Sequence, residues 1–129
     1  MPPDTCTRDH INDLGAEIFE TSITKGWNDG GVDKRTFGDM CMLLVSEVSE
    51  ALEEYRSGRG LDETYYRPYT NEDDGEVHQK PLGIPVELAD VAIRLFYMAH
   101  IYGVDLEAAI REKVEFNKKR SFKHGGKLI

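Results

Sequence analysis

Two thiols, Cys6 and Cys41, are all that this 129-residue sequence offers for disulfide or zinc chemistry. They form neither a C-x-x-C pair nor a Cys/His zinc pattern, so reduced side chains in a cytoplasmic protein are expected. No apolar run reaches the roughly 18 residues of a membrane span. Met1-Pro2-Pro3-Asp4 does not open like a signal peptide. Basic charge is scarce as well: 16 Lys and Arg face 24 acids, a formal net charge of -8. Binding to a nucleic-acid polymer normally goes with the opposite balance and is not expected. An acidic chain that binds phosphate needs a bound metal or a local basic cluster as a bridge. No P-loop and no G-x-G-x-x-G occurs, so neither familiar glycine-rich phosphate loop is present. What remains is enough chain for one domain, residues 1–129, burying roughly two-thirds of its unfolded surface.

Apolar spacing predicts four helices. Ile11, Leu14, Ile18, Phe19 and Ile23 mark the first, from Arg8 to Lys25, with Thr7 or Asp9 as its cap and Gly26 at its end. Trp27 follows in a glycine-rich turn, where a ring serves as a lid on the core or stacks on a base. Thr36-Phe37-Gly38-Asp39 has a capping-box pattern and predicts a second helix running to about Arg56. On its wheel Cys41, Leu44, Val45, Val48, Leu52 and Tyr55 form the expected core face. Glu47, Glu50 and Glu54 make a stripe beside it. Residues 59–83 are expected as a long acidic loop, with Asn71-Glu72-Asp73-Asp74-Gly75 as an exposed turn between short extended arms.

The third helix, from Gly83 or Pro85 to Tyr102, carries Ile84, Leu88, Val91, Leu95, Met98 and Tyr102 on one stripe, and Val86, Ile93, Phe96 and Tyr97 opposite. A helix apolar nearly all round belongs in a bundle interior or a subunit interface. Glu87 falls inside that stripe, and Asp90 and Arg94 sit at its edge. A carboxylate there is costly unless paired or holding a metal. Arg94 can pair with Asp90 one turn away, which leaves Glu47 and Glu50 unserved. Two acid pairs, Glu47 with Glu50 and Glu87 with Asp90, therefore predict a divalent-metal site. All-oxygen ligands favour Mg²⁺, with Mn²⁺ as the alternative. The absence of any E-x-x-H pair argues against a di-iron bundle.

Asp105 caps a fourth expected helix running to about Arg120, with Leu106, Ala109, Ile110 and Val114 toward the core. Lys113, Asn117 and Arg120 line one side of it, a row suited to a phosphate chain or simply to the helix dipole. In the basic tail, His124 is expected at the surface.

Glu47-x-x-Glu50, Glu87-x-x-Asp90 and Lys113-x-x-x-Asn117-x-x-Arg120, in that order, resemble the MazG-like branch of the all-alpha nucleoside triphosphate pyrophosphohydrolases. The likeness runs from Lys25-Gly26-Trp27 to Lys123-His124-Gly125-Gly126-Lys127. The segment between the acid pairs is longer than that family's usual connection, and Ser46 stands where many members carry another acid. The resemblance implies an all-α bundle of four to five helices completed by oligomerisation into a dimer or tetramer. It implies hydrolysis of a nucleoside triphosphate to monophosphate and pyrophosphate. The four acids would be the Mg²⁺ ligands and catalytic groups, with Glu47 or Glu50 as general base. Lys113, Asn117, Arg120 and Arg94 would bind substrate, and Trp27 would contact the base. The competing expectations are a more specialised hydrolase, acting on dUTP or phosphoribosyl-ATP, and a catalytically weak helical interaction module.

Overall fold

The computed structural model describes residues 10–27 and 33–120. The order is α1 (His10–Thr24), α2 (Phe37–Arg56), β1 (Tyr65–Thr70), β2 (Val77–Leu82), α3 (Ile84–Ile101) and α4 (Leu106–Lys118). The fold is mostly helical but not purely α, because the segment expected as a loop is an antiparallel hairpin. Tyr65 pairs with Leu82, Arg67 with Lys80 and Thr70 with Val77. Aromatic and β-branched residues suit these strands, and the acids are confined to the turn. There Asn71 Oδ1 accepts from the Asp73 amide and Asp74 Oδ1 from the Glu76 amide, both at 2.8 Å. Such Asx contacts replace lost ladder bonds and fix the reversal.

Local signals at the helix ends hold. Thr36 and Asp39 exchange hydrogen bonds at 2.8 and 3.0 Å in a complete capping box, and Asp105 Oδ1 caps α4 through the Ala108 amide. Thr7, Asp9, Cys6 and His124 lie outside the described residues.

α3 is the central element, with α1 on one side and α2 on the other. Gly15 lets α1 come close: a Cβ there would lie 2.9 Å from the Phe96 carbonyl oxygen. Phe19 stacks near Tyr97 and His100. The buried apolar residues are Met40, Ala51, Ile84, Tyr97 and Ala99, a thin core for the chain length.

Two expected core faces are corrected. On α2 the residues turned toward α3 are Met40, Glu47 and Ala51, while Val45, Val48, Leu52 and Tyr55 are each about half exposed. The apolar stripe was read correctly as apolar but is left half exposed among the described residues, since α3 takes the face that includes an acid. α4 buries no residue, and Ile110 and Val114 are exposed. It is tethered to α1, where Asn12 Nδ2 donates to Asp105 Oδ1 at 2.8 Å.

The hairpin is anchored at its base. Tyr65 donates its hydroxyl to both carboxylate oxygens of Glu54 at 3.0 Å, and the Arg59 guanidinium lies 3.6 Å over the Tyr65 ring while pairing with Glu63. Gly83 joins β2 to α3 at φ 121°, and a Cβ there would collide with the Glu63 carbonyl oxygen. Gly83→Ala should therefore destabilise the fold by roughly 2–4 kcal/mol through strain and overlap together. Urea unfolding of the two chains checks this, as a lower midpoint at an unchanged slope.

Candidate metal centre

Glu47 and Glu50 stand three residues apart on α2 and so share a side of the helix. Because α2 turns that side toward α3, Glu47 is buried at 8 % exposure, although its helix has an apolar face that stays open. From α3, Glu87 and Asp90 approach across the same seam. Carboxylate oxygens of Glu47, Glu50 and Glu87 all lie within 4.8 Å of one another.

The three acids are not equivalent. Glu47 Oε1 accepts a 2.7 Å bond from Arg94 Nε, an ion pair between helices. The sequence suggested Asp90 as the partner of Arg94, one turn away; the short contact instead goes to Glu47, the acid that argument left unserved. Glu87 has the opposite fate. Its Oε2 is buried without a hydrogen-bond partner. Burial, a hydrogen bond with Glu50 and the negative charges around it raise its carboxyl from the usual 4.5 to about 7. Asp90 is half-buried and is also raised, by burial and by the charge of Glu47, with Arg94 and Lys80 opposing that shift.

This arrangement fits a hard divalent cation. Octahedral oxygen ligands at about 2.1 Å stand roughly 3–4.2 Å apart, close to the spacing already present. A buried oxygen with no donor is a free ligand position, and two carboxyls that share a hydrogen bond must hold a proton that a cation would displace. Glu47, Glu50 and Glu87 are the direct candidates. Asp90 adjoins them from the next turn of α3.

A cavity of about 600 Å³ meets the cluster through Arg94, although none of the four acids lines it. Ile18, Met40, Leu43, Ile93 and Met98 supply its apolar wall, and Trp27, 69 % exposed, stands on its rim. Arg94 lines the same cavity, so one side chain touches both the acid cluster and the pocket. The residues Lys113, Asn117 and Arg120 are not brought here within the chain. All three are exposed, Lys113 and Asn117 on α4 and Arg120 just past its end, and Lys113 and Arg120 flank the Phe116 ring at 4.8 and 5.2 Å.

Sequence reasoning missed Asp33, Arg35 and Tyr97 at the far wall of the cavity. Asp33 accepts from Arg35 Nη2 and from the Tyr97 hydroxyl, both at 2.6 Å, and the Arg35 guanidinium holds its carboxyl far below the ordinary range. No spacing could announce a contact that spans 64 positions. No family model matches the chain, and neither a curated protein nor a solved structure matches it.

The raised carboxyl fixes a pH dependence. A group protonated more readily in the folded than in the unfolded chain favours folding at low pH, and that contribution fades as pH rises from about 4.5 through about 7. In the absence of divalent ions, thermal unfolding followed between pH 5 and 8 should show stability falling across this window. Glu87→Gln should flatten the slope. Adding Mg²⁺ at pH 8 should raise the midpoint of the wild type and leave that of Glu87→Gln nearly unmoved.

Proposed function

We propose that the chain is a Mg²⁺-dependent nucleoside triphosphate pyrophosphohydrolase that releases monophosphate and pyrophosphate. The observation that carries this reading is the Glu47–Glu50–Glu87 cluster with its unpartnered, buried Glu87 oxygen, joined through Arg94 to a cavity of about 600 Å³. A structural acid network would be expected to satisfy its buried oxygens; a ligand-holding one has a reason not to.

Held by Glu47, Glu50 and Glu87, with Asp90 alongside, Mg²⁺ would neutralise phosphate charge and make an attacking water more acidic. The protein's own side chains do the rest. Trp27 and the apolar wall take the base and sugar, which leaves the phosphates directed past Arg94 toward the acids. Arg94 fixes Glu47 by its Nε bond, and its remaining N–H groups can reach phosphate oxygens. Glu47 is thereby committed, so Glu50, exposed at the edge of the cluster, is the better acceptor for a proton from water. Asn117, Lys113 and Arg120 enter only if α4 of a second copy brings them over, which accords with an α4 that buries nothing in its own chain.

Self-association to a dimer or tetramer is part of the same reading. Val45, Val48, Leu52 and Tyr55 form a continuous half-exposed stripe on α2, of the kind that marks an interface. That stripe also favours the second reading, an interaction module with weak or no turnover.

Incubation with a panel of nucleoside triphosphates and Mg²⁺ separates the two. Pyrophosphate release is expected, and kcat/KM should fall on the order of 100-fold or more in Glu87→Gln. Release of single phosphates, or no metal-dependent turnover on any nucleotide, would overturn the enzyme reading. Light scattering should return a multiple of the chain mass for the wild type. Leu52→Asp should shift it toward the monomer by placing a charge in a buried seam.

A further inference from the structure

The hairpin between the acid pairs has one face that carries more positive charge than its anchoring through Tyr65 requires. Alternation along the paired strands puts Tyr65, Arg67 and Tyr69 on the same side as Leu82, Lys80 and His78. This is the side that meets α2, because Tyr65 reaches from it to Glu54, and Glu54 lies one helical turn beyond Glu50. Arg67 and Lys80 sit directly across from each other. Like charges in opposing strands repel, and no hydrogen bond or ion pair occupies the Lys80 ammonium among the described residues. On a chain of net charge -8, two cations set side by side on the face that meets the acid-bearing helix α2 at Glu54 are suited to hold an anion between them.

We propose that this face is a phosphate-binding wall of the acid site, in which Lys80, with Arg67 opposite, grips the outer phosphates of a bound polyphosphate. The proposal rests on the polyphosphate reading above and names residues for it. Two further observations support it. Lys80 lies three residues before Gly83, where β2 passes directly into the helix that carries Glu87 and packs against it, so the hairpin brings Lys80 to the end of α3 nearest the seam. Arg94 is already bonded to Glu47, and the Lys113–Arg120 row lies on a helix packed against α1. Among the described residues of one chain, Lys80 is therefore a cation near the acids without a fixed partner. The hairpin base is also stiff enough to aim it: Tyr65 is clamped between Glu54 and Arg59, and Gly83 allows a close approach that any side chain would block. A guanidinium and an ammonium on a fixed ladder are a pre-organised clamp, with less ordering cost on binding than loop side chains.

The test uses the whole chain and inorganic triphosphate with Mg²⁺, a probe without base or sugar. Calorimetric affinity for triphosphate should fall roughly 10-fold or more in Lys80→Ala, as expected for loss of a charge-assisted contact. Arg67→Ala should weaken it by less, and Lys80→Arg should retain most of it. The thermal shift with Mg²⁺ alone should not change in any of the three, nor should the mass in solution. In nucleotide hydrolysis Lys80→Ala should raise KM more than it lowers kcat. Unchanged triphosphate affinity in both Lys80→Ala and Arg67→Ala overturns the wall, even where nucleotides are hydrolysed. A Lys80→Ala chain that dissociates would make the face a subunit interface and overturn it equally. Triphosphate binding that depends on Lys80 in a chain that turns over no nucleotide would uphold the wall and overturn the enzyme reading.

Discussion

A carboxylate buried among carboxylates is the condition on which this structure turns. Glu87 sits on the most apolar helix of the chain, with one oxygen shut away from water and unbonded. A neutral acid would tolerate that position, and so would a cation's ligand; a bare carboxylate would not. Every neighbouring feature deals with the same charge. Arg94 compensates Glu47, Glu50 shares a hydrogen bond with Glu87, and the shared seam lets α2 and α3 touch through polar groups where hydrophobic ones were available. Natural helices seldom turn a poorer face inward while a richer one stays exposed. That α2 does so is what separates a site from a salt-bridged surface.

The helices and their ends were legible in the sequence because their causes are local. A capping box, a glycine with positive φ at Gly26, Gly58 or Gly103, and an apolar period of 3.6 are written within a few residues. Glu87 was legible for a related reason, since a charge inside an apolar stripe contradicts its surroundings wherever the helix packs. The orientation of α2 was not. A hydrophobic wheel measures how apolar a face is and says nothing about whether its neighbour belongs to the same chain. The same limit explains α4, whose apolar residues were assigned to a core that the single chain does not supply.

Of the hairpin only the turn was legible: Asn71–Gly75 is an exposed turn between extended arms as expected, but the pairing of those arms was not foreseen. Its acids cluster at the turn and give residues 59–83 the composition of a solvated loop, while the ladder-forming residues are split between Tyr65–Thr70 and Val77–Leu82. Two six-residue strands separated by a six-residue connection show their alternation only once the register is known. Lys80 was invisible in consequence: its meaning comes from standing opposite Arg67 and on the side of Tyr65, and both are facts of pairing. Asp33 and its bonds to Arg35 and Tyr97 are of the same kind, a contact between a loop and a helix that no periodicity encodes.

These features bear on stability together. Few residues are fully buried, the acids repel one another, and a hydrophobic stripe is left facing water. Each term lowers the stability of the isolated chain, and the last two would be relieved by different binding events. A cation in the seam favours the folded state in proportion to its affinity, because the unfolded chain does not gather these acids. Burial of the Val45–Tyr55 stripe would add apolar area at about 25 cal/mol per Å². If the chain binds a cation and associates as proposed, both events contribute to its folding free energy. Folding, cation binding and self-association are then linked equilibria, and a substitution at the seam alters all three at once. On the proposed reading, stability measured with and without divalent ions reports the same interaction as turnover would, from the side of the fold.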